Sequence, residues 1–440
     1  MVEKRIEIIA KKFLEKVENK EIQIISHFDT DGITSASIMI KTLQSLDKTF
    51  YVKIVKSLDE NIIKSLSKDR INIFLDLASG SLDYIEKSCL EDVFVIDHHE
   101  VIQKIPQNVH IINPELDTGE KISASGLTYL FCREIHPNKE LAKLAVLGMI
   151  GDCLEKNIDK LNIQILGDSE VVKRRGLILY PSTRPINKVL EYSSNPYIEG
   201  VTGNIKGVLE LLREAGITPK SGRYKSIIEL DDREMSKLVT AILLKKTKTK
   251  SDEQIIGDIF LIKIFNKLED ARELSAMINA CSRLGDSGVA MQLCLEIPEA
   301  KKRAEAIHAK YKQLLVSGLD YVSNGVDKIE GNGYIIINAK NKIKDTIIGT
   351  IASILSNSFI YEEGTIIIAM AYDREKIKVS SRSVGRNGKN LREVLNAVVS
   401  NIGGEVGGHE FAAGCIIEKE KEEEFIEKIR KNLEIEMIKI

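Results

Sequence analysis

Residues 22–32 read Ile22-Gln23-Ile24-Ile25-Ser26-His27-Phe28-Asp29-Thr30-Asp31-Gly32. A short apolar run (IQIIS, 22–26) passes straight into one imidazole and two carboxylates. The pattern recurs downstream: INIFL (71–75) ends at Asp76, and VFVI (93–96) ends at Asp97-His98-His99. Runs of this length, rich in Ile, Val and Phe, predict buried parallel strands separated by helices. In such sheets, ligands gather beyond the carboxyl ends of the strands. LAKLAVLGMIG (141–151) predicts an apolar helix that brings Asp152 to the same edge. The expected fold class is therefore α/β, with a parallel sheet carrying the motifs.

Together the motifs offer five carboxylates and three imidazoles, enough for two divalent metals. A two-metal site hydrolyses phosphate esters by activating water on one side and stabilising the leaving oxygen on the other. Taken singly, an Asp after a strand is commonly a helix N-cap. Five such residues, each following an apolar run, point to one shared centre. Asp29 and Asp31 are two apart in an expected loop, so both can face a centre with a metal on each side. His27 could join Asp29 on one ion. Asp76 could bridge both ions, and His98 and Asp152 could complete the second. Mixed Asp/His ligation suits Mn²⁺, with Mg²⁺ and Co²⁺ also compatible. Zinc suits it less, because no cysteine belongs to the cluster.

HFDTDG (27–32), DHH (97–99) and GGHEFAAG (407–414) together resemble the DHH phosphoesterase superfamily. SSRS (380–383) and GGEVGGHEFAAG (403–414) resemble its DHH-associated domain. DLASG (76–80), STRP (182–185) and NACSRLGDSGVAMQLCL (279–295) resemble the archaeal RecJ-like branch, of the GINS-associated nuclease type. The resemblance covers nearly the whole chain in the expected order. It implies His27, Asp29 and Asp76 on one ion, and Asp31, Asp76, His98 and Asp152 on the other. It also implies that Asp97 orients an imidazole from behind the ligands and that His99 faces a substrate phosphate. The implied catalytic set is Asp31, Asp76, His98 and His99.

The second half is expected to grip substrate. Gly403, Gly404, Gly407 and Gly408 would allow close backbone approach in a loop whose N–H groups cradle a phosphate, with His409 at its end. Arg382 follows the strand-like KIKVSS and could form a fork with phosphate oxygens. Arg386, Lys389 and Arg392 extend a basic stretch, which could equally be a solvated loop. A glycine-rich turn between two elements is the plain alternative for 403–414.

The chain has 440 residues and 43% hydrophobic content, enough for two or three domains with real cores. We divide it into a catalytic domain at 1–190, a mainly helical connecting region at 191–310, and a smaller α/β substrate-binding domain at 311–440. The formal net charge of −2 does not announce a nucleic-acid binder. A local basic groove could come from Lys173-Arg174-Arg175, Arg184 or the KKTKTK run (245–250), although such a run is commonly a solvated linker. With no Trp and 5% aromatics, an extensive base-stacking platform is not expected. The six scattered cysteines form no CxxC pair and, without a signal peptide, read as reduced thiols of a cytoplasmic protein. No apolar stretch reaches the roughly 20 residues of a membrane span.

The expected function is a metal-dependent phosphodiesterase, a single-strand-specific exonuclease on DNA or RNA acting in replication or repair. The carboxyl-terminal lobe would close over the strand. The resemblance implies replisome partners, notably GINS, and tilts polarity toward 5′-to-3′ on DNA with 3′-to-5′ open. Three alternatives stand: a phosphodiesterase for short oligonucleotides or nucleotide phosphates, a replication scaffold with little activity, and an inorganic pyrophosphatase. The intact ligand set argues against the scaffold, and the RecJ-like middle and glycine-rich carboxyl lobe argue against the pyrophosphatase.

Overall fold

The computed structural model describes residues 2–18, 20–117, 119–179, 181–193, 198, 200–245, 255–324, 328–358, 360–386 and 388–437. Residues 246–250 of the lysine-rich run lie outside them. The chain separates into two compact units, Met1–Ile307 and His308–Ile440.

The first unit is built on five parallel strands: β1 (Ile22–His27), β2 (Phe50–Val55), β3 (Ile71–Leu75), β4 (Val93–Ile96) and β5 (Val109–Ile112). Their order is β2-β1-β3-β4-β5. The register aligns Ser26 with Leu75, Leu75 with Ile96, and Ile96 with Ile112. The next residues in the chain, His27, Asp76, Asp97 and Asn113, therefore emerge side by side at the carboxyl edge. Side chains alternate across a strand, and both faces here are dry. Ile22, Ile24, Ile71, Ile73, Phe94 and Ile96 join one core cluster. Ile25, Phe74, Val93, Val95 and Ile111 join another on the opposite face. This two-sided burial explains why the strands read as continuous apolar runs.

The first of these cores extends well beyond the sheet. It takes in the helices Thr30–Ser45, Ala124–Ile135 and Ala142–Gly151, and also Ala271–Arg283 and Ser287–Cys294. A separate core gathers residues between Leu177 and Leu261. It packs the helices Ile186–Glu191, Ile205–Glu214 and Asp232–Lys245 on β6 (Val172–Leu177) and β7 (Ile256–Ile264), and β8 (Lys267–Asp270) completes that three-stranded sheet. The middle of the chain is thus mainly helical, as expected, but it also holds strands. The helices at 271–294 pack with the metal-motif core rather than standing apart.

The second unit carries a six-stranded mixed sheet: β9 (Lys328–Gly331), β10 (Tyr334–Asn338), β11 (Ile366–Asp373), β12 (Lys376–Ser383), β13 (Glu405–His409) and β14 (Ala412–Glu418). The order is β13-β14-β12-β11-β10-β9. Helices Leu391–Val399 and Glu422–Met437 bury Val394, Leu395, Val398, Phe425 and Ile429 in its core. No helix among the described residues is long and apolar enough to cross a membrane. Cys132, Cys281, Cys294 and Cys415 are buried, and all six cysteines are free.

Candidate metal centre

His27, Asp29, Asp31, Asp76, His98, His99 and Asp152 converge at the carboxyl edge of the parallel sheet. His27, Asp29 and Asp76 form one group whose donor atoms could share an ion, and Asp31, His98 and Asp152 form another. Asp76 reaches toward both. Its Oδ2 lies 3.2 Å from His27 Nδ1, and its Oδ1 lies 3.3 Å from His98 Nε2. Asp29 Oδ2 is 3.1 Å from His27 Nδ1, and Asp152 Oδ2 is 3.5 Å from His98 Nε2.

The carboxylates of Asp29, Asp31 and Asp97 are held by backbone N–H groups. Asp29 is not in a free loop: it caps the helix Thr30–Ser45, accepting from Gly32 N at 3.0 Å. The N-cap alternative holds for this residue, and its other oxygen, Oδ2, still faces His27. Asp31 sits in the first turn of that helix and accepts from Ala124 N at 2.6 Å and Ser125 N at 2.9 Å. Those N–H groups are orphan donors at the start of the helix Ala124–Ile135. Asp76 leaves β3 with φ 57°, a left-handed conformation that a non-glycine residue adopts at a cost. Asp97 lies deeper. Its Oδ1 accepts from His98 N at 2.8 Å and from His99 Nδ1 at 2.7 Å, and its Oδ2 accepts from Ser79 N at 2.9 Å.

The electrostatics show a surplus of buried negative charge. Burial and the charges of Asp29 and Asp31 push Asp76 up to about 6. Burial, with Asp31, Asp76 and Asp29 nearby, drives Asp152 well above the carboxylate range. Burial disfavours the His98 cation, but the hydrogen bond to Asp76 and the charge of Asp31 prevail and raise it to about 9. His99 is raised by its hydrogen bond to Asp97. Among the described residues, the buried Asp152 Oδ2 has no hydrogen-bond partner. An orphaned carboxylate oxygen, crowded carboxylates and imidazoles within reach are what a divalent cation would satisfy, so the donor set fits divalent ions such as Mn²⁺ or Mg²⁺.

Several residues were given no role from sequence. Thr30 N donates to Asn279 Oδ1 at 3.0 Å, and Thr30 Oγ1 donates to Ser275 O at 3.0 Å. The helix Ala271–Arg283 thereby holds the segment between Asp29 and Asp31 from more than 240 positions away. Asn113 ties two motif loops together, donating to Ser79 Oγ and to His99 O. The only sequence hint was the position of Asn113 directly after an apolar run.

The carboxyl-terminal candidates lie in the second unit. Gly407, Gly408 and His409 are exposed and belong to β13, an edge strand in an antiparallel hairpin with β14. The expected glycine-rich loop is therefore a strand; Gly403 and Gly404 precede it. Gly408 has φ 109°, and a Cβ there would lie 2.5 Å from Ala412 O, so glycine is what lets the two strands meet. Arg382 lies on β12, with Nε donating to Ser353 Oγ at 2.9 Å and Nη1 to Ser381 O at 2.7 Å. Among the basic-groove candidates, Arg184 pairs with Glu273 at 3.2 Å and Lys173 with Asp258 at 2.8 Å.

Residues 21–149 match the DHH family, N-terminal domain; residues 179–259 match the DHH-CID domain; residues 331–434 match the DHHA1 domain. An uncharacterised protein of Methanocaldococcus jannaschii is 32% identical across 97% of this chain and 96% of its own length. The chain belongs to the DHH family. Its relatives include the single-stranded-DNA-specific exonuclease RecJ of Bacillus subtilis, 24% identical over 92% of this chain. The chain spans only 44% of that protein's length. Among solved structures, RecJ of Thermus thermophilus in complex with Mn²⁺ superposes with a TM-score of 0.61 at 18% identity, over 97% of this chain and 54% of that one. CDC45 of Entamoeba histolytica superposes with a TM-score of 0.65 at 12% identity, over 98% and 99%. These likenesses show a shared fold. Membership of the DHH family, with RecJ homology, supports hydrolase activity and metal binding.

Proposed function

We propose that this DHH-family chain is a metal-dependent phosphodiesterase that removes nucleotides from an end of single-stranded DNA or RNA. The observation that carries the reading is Asp76, whose two oxygens face His27 and His98 on opposite sides. Two divalent ions, Mn²⁺ with Mg²⁺ or Co²⁺ as substitutes, would supply an activated water and neutralise charge at the leaving oxygen. His27, Asp29 and Asp76 would hold one, and Asp31, Asp76, His98 and Asp152 the other. Asp97 fixes the His99 ring through Nδ1, leaving Nε2 to engage a phosphate oxygen. In the second unit, Arg382, Gly407, Gly408 and His409 would bind a phosphate of the strand.

The sequence relationship to RecJ supports the exonuclease reading, and the relative from Methanocaldococcus jannaschii supports an archaeal setting. On this reading the chain acts in replication or repair beside replisome proteins such as GINS, and is of the GINS-associated nuclease type. The likeness to CDC45 over nearly its whole length favours a second reading, a replication-complex scaffold with little activity. Incubation with Mn²⁺ and 5′- or 3′-labelled single strands of DNA and RNA separates the two. Progressive loss of nucleotides from one end supports the nuclease; intact strands at stoichiometric protein support the scaffold.

A further inference from the structure

Asn113 is fully buried, yet no catalytic motif contains it. It is the first residue after β5, one strand beyond the Asp97-His98-His99 motif. Its Nδ2 donates to Ser79 Oγ at 3.0 Å and to His99 O at 2.8 Å. Its Oδ1 accepts from Glu115 N at 2.9 Å, so the amide orientation is fixed. Ser79 in turn donates its backbone N–H to Asp97 Oδ2 at 2.9 Å. The side chain thus clasps the loop after β3, which carries Asp76, to the loop after β4, which carries His98 and His99.

The clasp has strain to hold. Asp76 and Ala78 both take positive φ, at 57° and 92°, with no glycine to ease either. Such conformations persist only where surrounding contacts over-determine them.

We propose that Asn113 is a positioning residue that sets the distance between the shared carboxylate of Asp76 and the imidazole of His98. The inference rests on the metal-centre reading above. Residues behind the ligands typically cost about 10- to 100-fold in metal affinity when removed. Asn113→Asp keeps the shape and the acceptor for Glu115 N, loses the donation to the His99 carbonyl, and can meet Ser79 Oγ only by accepting from it. Ser79→Ala removes one of the two clasping contacts.

The experiment titrates Mn²⁺ into each full-length variant by electron paramagnetic resonance, with circular dichroism and thermal melts alongside. The wild type should take up two ions. Asn113→Asp should fold normally and bind the weaker ion about 10- to 100-fold less tightly, with Ser79→Ala in between. On a single strand, kcat should fall while KM changes little, and excess Mn²⁺ should restore part of the rate. If the wild type binds two ions and both variants bind them with unchanged affinity, Asn113 is merely structural and the inference is overturned, whatever the melts show. If Asn113→Asp fails to fold, Ser79→Ala decides by the same affinity criterion. If the wild type itself takes up fewer than two ions, the metal-centre reading falls and the positioning role falls with it.

Discussion

Gly148 lies so close to Asp31 that a Cβ on it would sit 2.5 Å from the Asp31 Oδ1, and 1.9 Å from Ser125 Oγ. The helix Ala142–Gly151 therefore presses a bare backbone against the carboxylate that the Ala124 and Ser125 N–H groups hold. Gly148→Ala must displace Asp31 or Ser125. Overpacking of this kind costs about 1–3 kcal/mol. The variant should melt earlier and bind Mn²⁺ more weakly, and wild-type values in both measurements would show that the packing is slack.

Asp31→Ala and Asp76→Ala should each abolish hydrolysis while the protein stays folded. For Asp76 the loss removes the group that faces both His27 and His98. Chelation of the wild type should stop turnover, and added Mn²⁺ should restore it. Crystals soaked in Mn²⁺ should show two ions roughly 3.5–4 Å apart among these side chains. Near-normal turnover by either variant would sink the two-metal assignment.

Arg382→Ala should weaken substrate binding with little effect on metal uptake. The guanidinium is already anchored by Ser353 and the Ser381 carbonyl, so it is pre-organised to meet a phosphate. Loss of such a charged fork costs about 1.5–3 kcal/mol. His409→Ala should act in the same direction. If both variants bind and cleave a long single strand normally, the β13–β14 hairpin has only a structural role.

A fourth prediction concerns acid stability. Asp270 is buried and accepts from Arg272 Nη2 at 2.8 Å and from Ser182 N at 2.9 Å. Burial alone would raise its carboxyl, but the Arg272 hydrogen bond and charge prevail and lower it. A lowered folded-state pKa stabilises the fold above the unfolded value of about 3.9, and that stability is lost as pH falls through the folded value. Asp270→Ala should cost about 3–5 kcal/mol near neutrality. In urea denaturation, the gap between wild type and variant should shrink below about pH 4. A gap independent of pH would mean that packing, not charge, explains the loss.

The parallel sheet was legible because its strands are buried on both faces and end abruptly in charge. INIFL and VFVI match β3 and β4 residue for residue. The convergence of Asp31, Asp76 and His98 was legible for the same reason, since parallel strands deliver their ends to one edge; Asp152 comes instead from the end of the apolar helix Ala142–Gly151. What could not be read depends on contacts distant in sequence. Glycines at 403–408 signal a loop as readily as a hairpin, and only the pairing with β14 decides between them. Thr30 and Asn279 each lie in a motif stretch, but nothing in either stretch pairs them; their hydrogen bond exists only because the helix Ala271–Arg283 folds back onto the first core. The left-handed turn at Asp76 has no glycine to announce it in the sequence.

The last prediction concerns substrate form: single strands should be cleaved from an end, and duplexes strongly disfavoured. Duplex binding usually draws on many phosphate contacts. This chain carries a net charge of −2. Several of its basic groups are already engaged: Lys173 with Asp258, Arg184 with Glu273, and Arg174 with the Ile228 carbonyl. Affinity should fall with salt, with the shallow slope of few phosphate contacts. With no Trp and 5% aromatics, stacking should be limited, so backbone contacts should dominate and sequence preference should be slight. A time course on end-labelled single strands, blunt duplexes and circular single strands provides the test. A 5′ label should be released first, as mononucleotides. Rapid cutting of the circle would overturn the exonuclease reading, because a circle has no end. Efficient degradation of the blunt duplex would overturn single-strand specificity, while leaving the metal centre untouched.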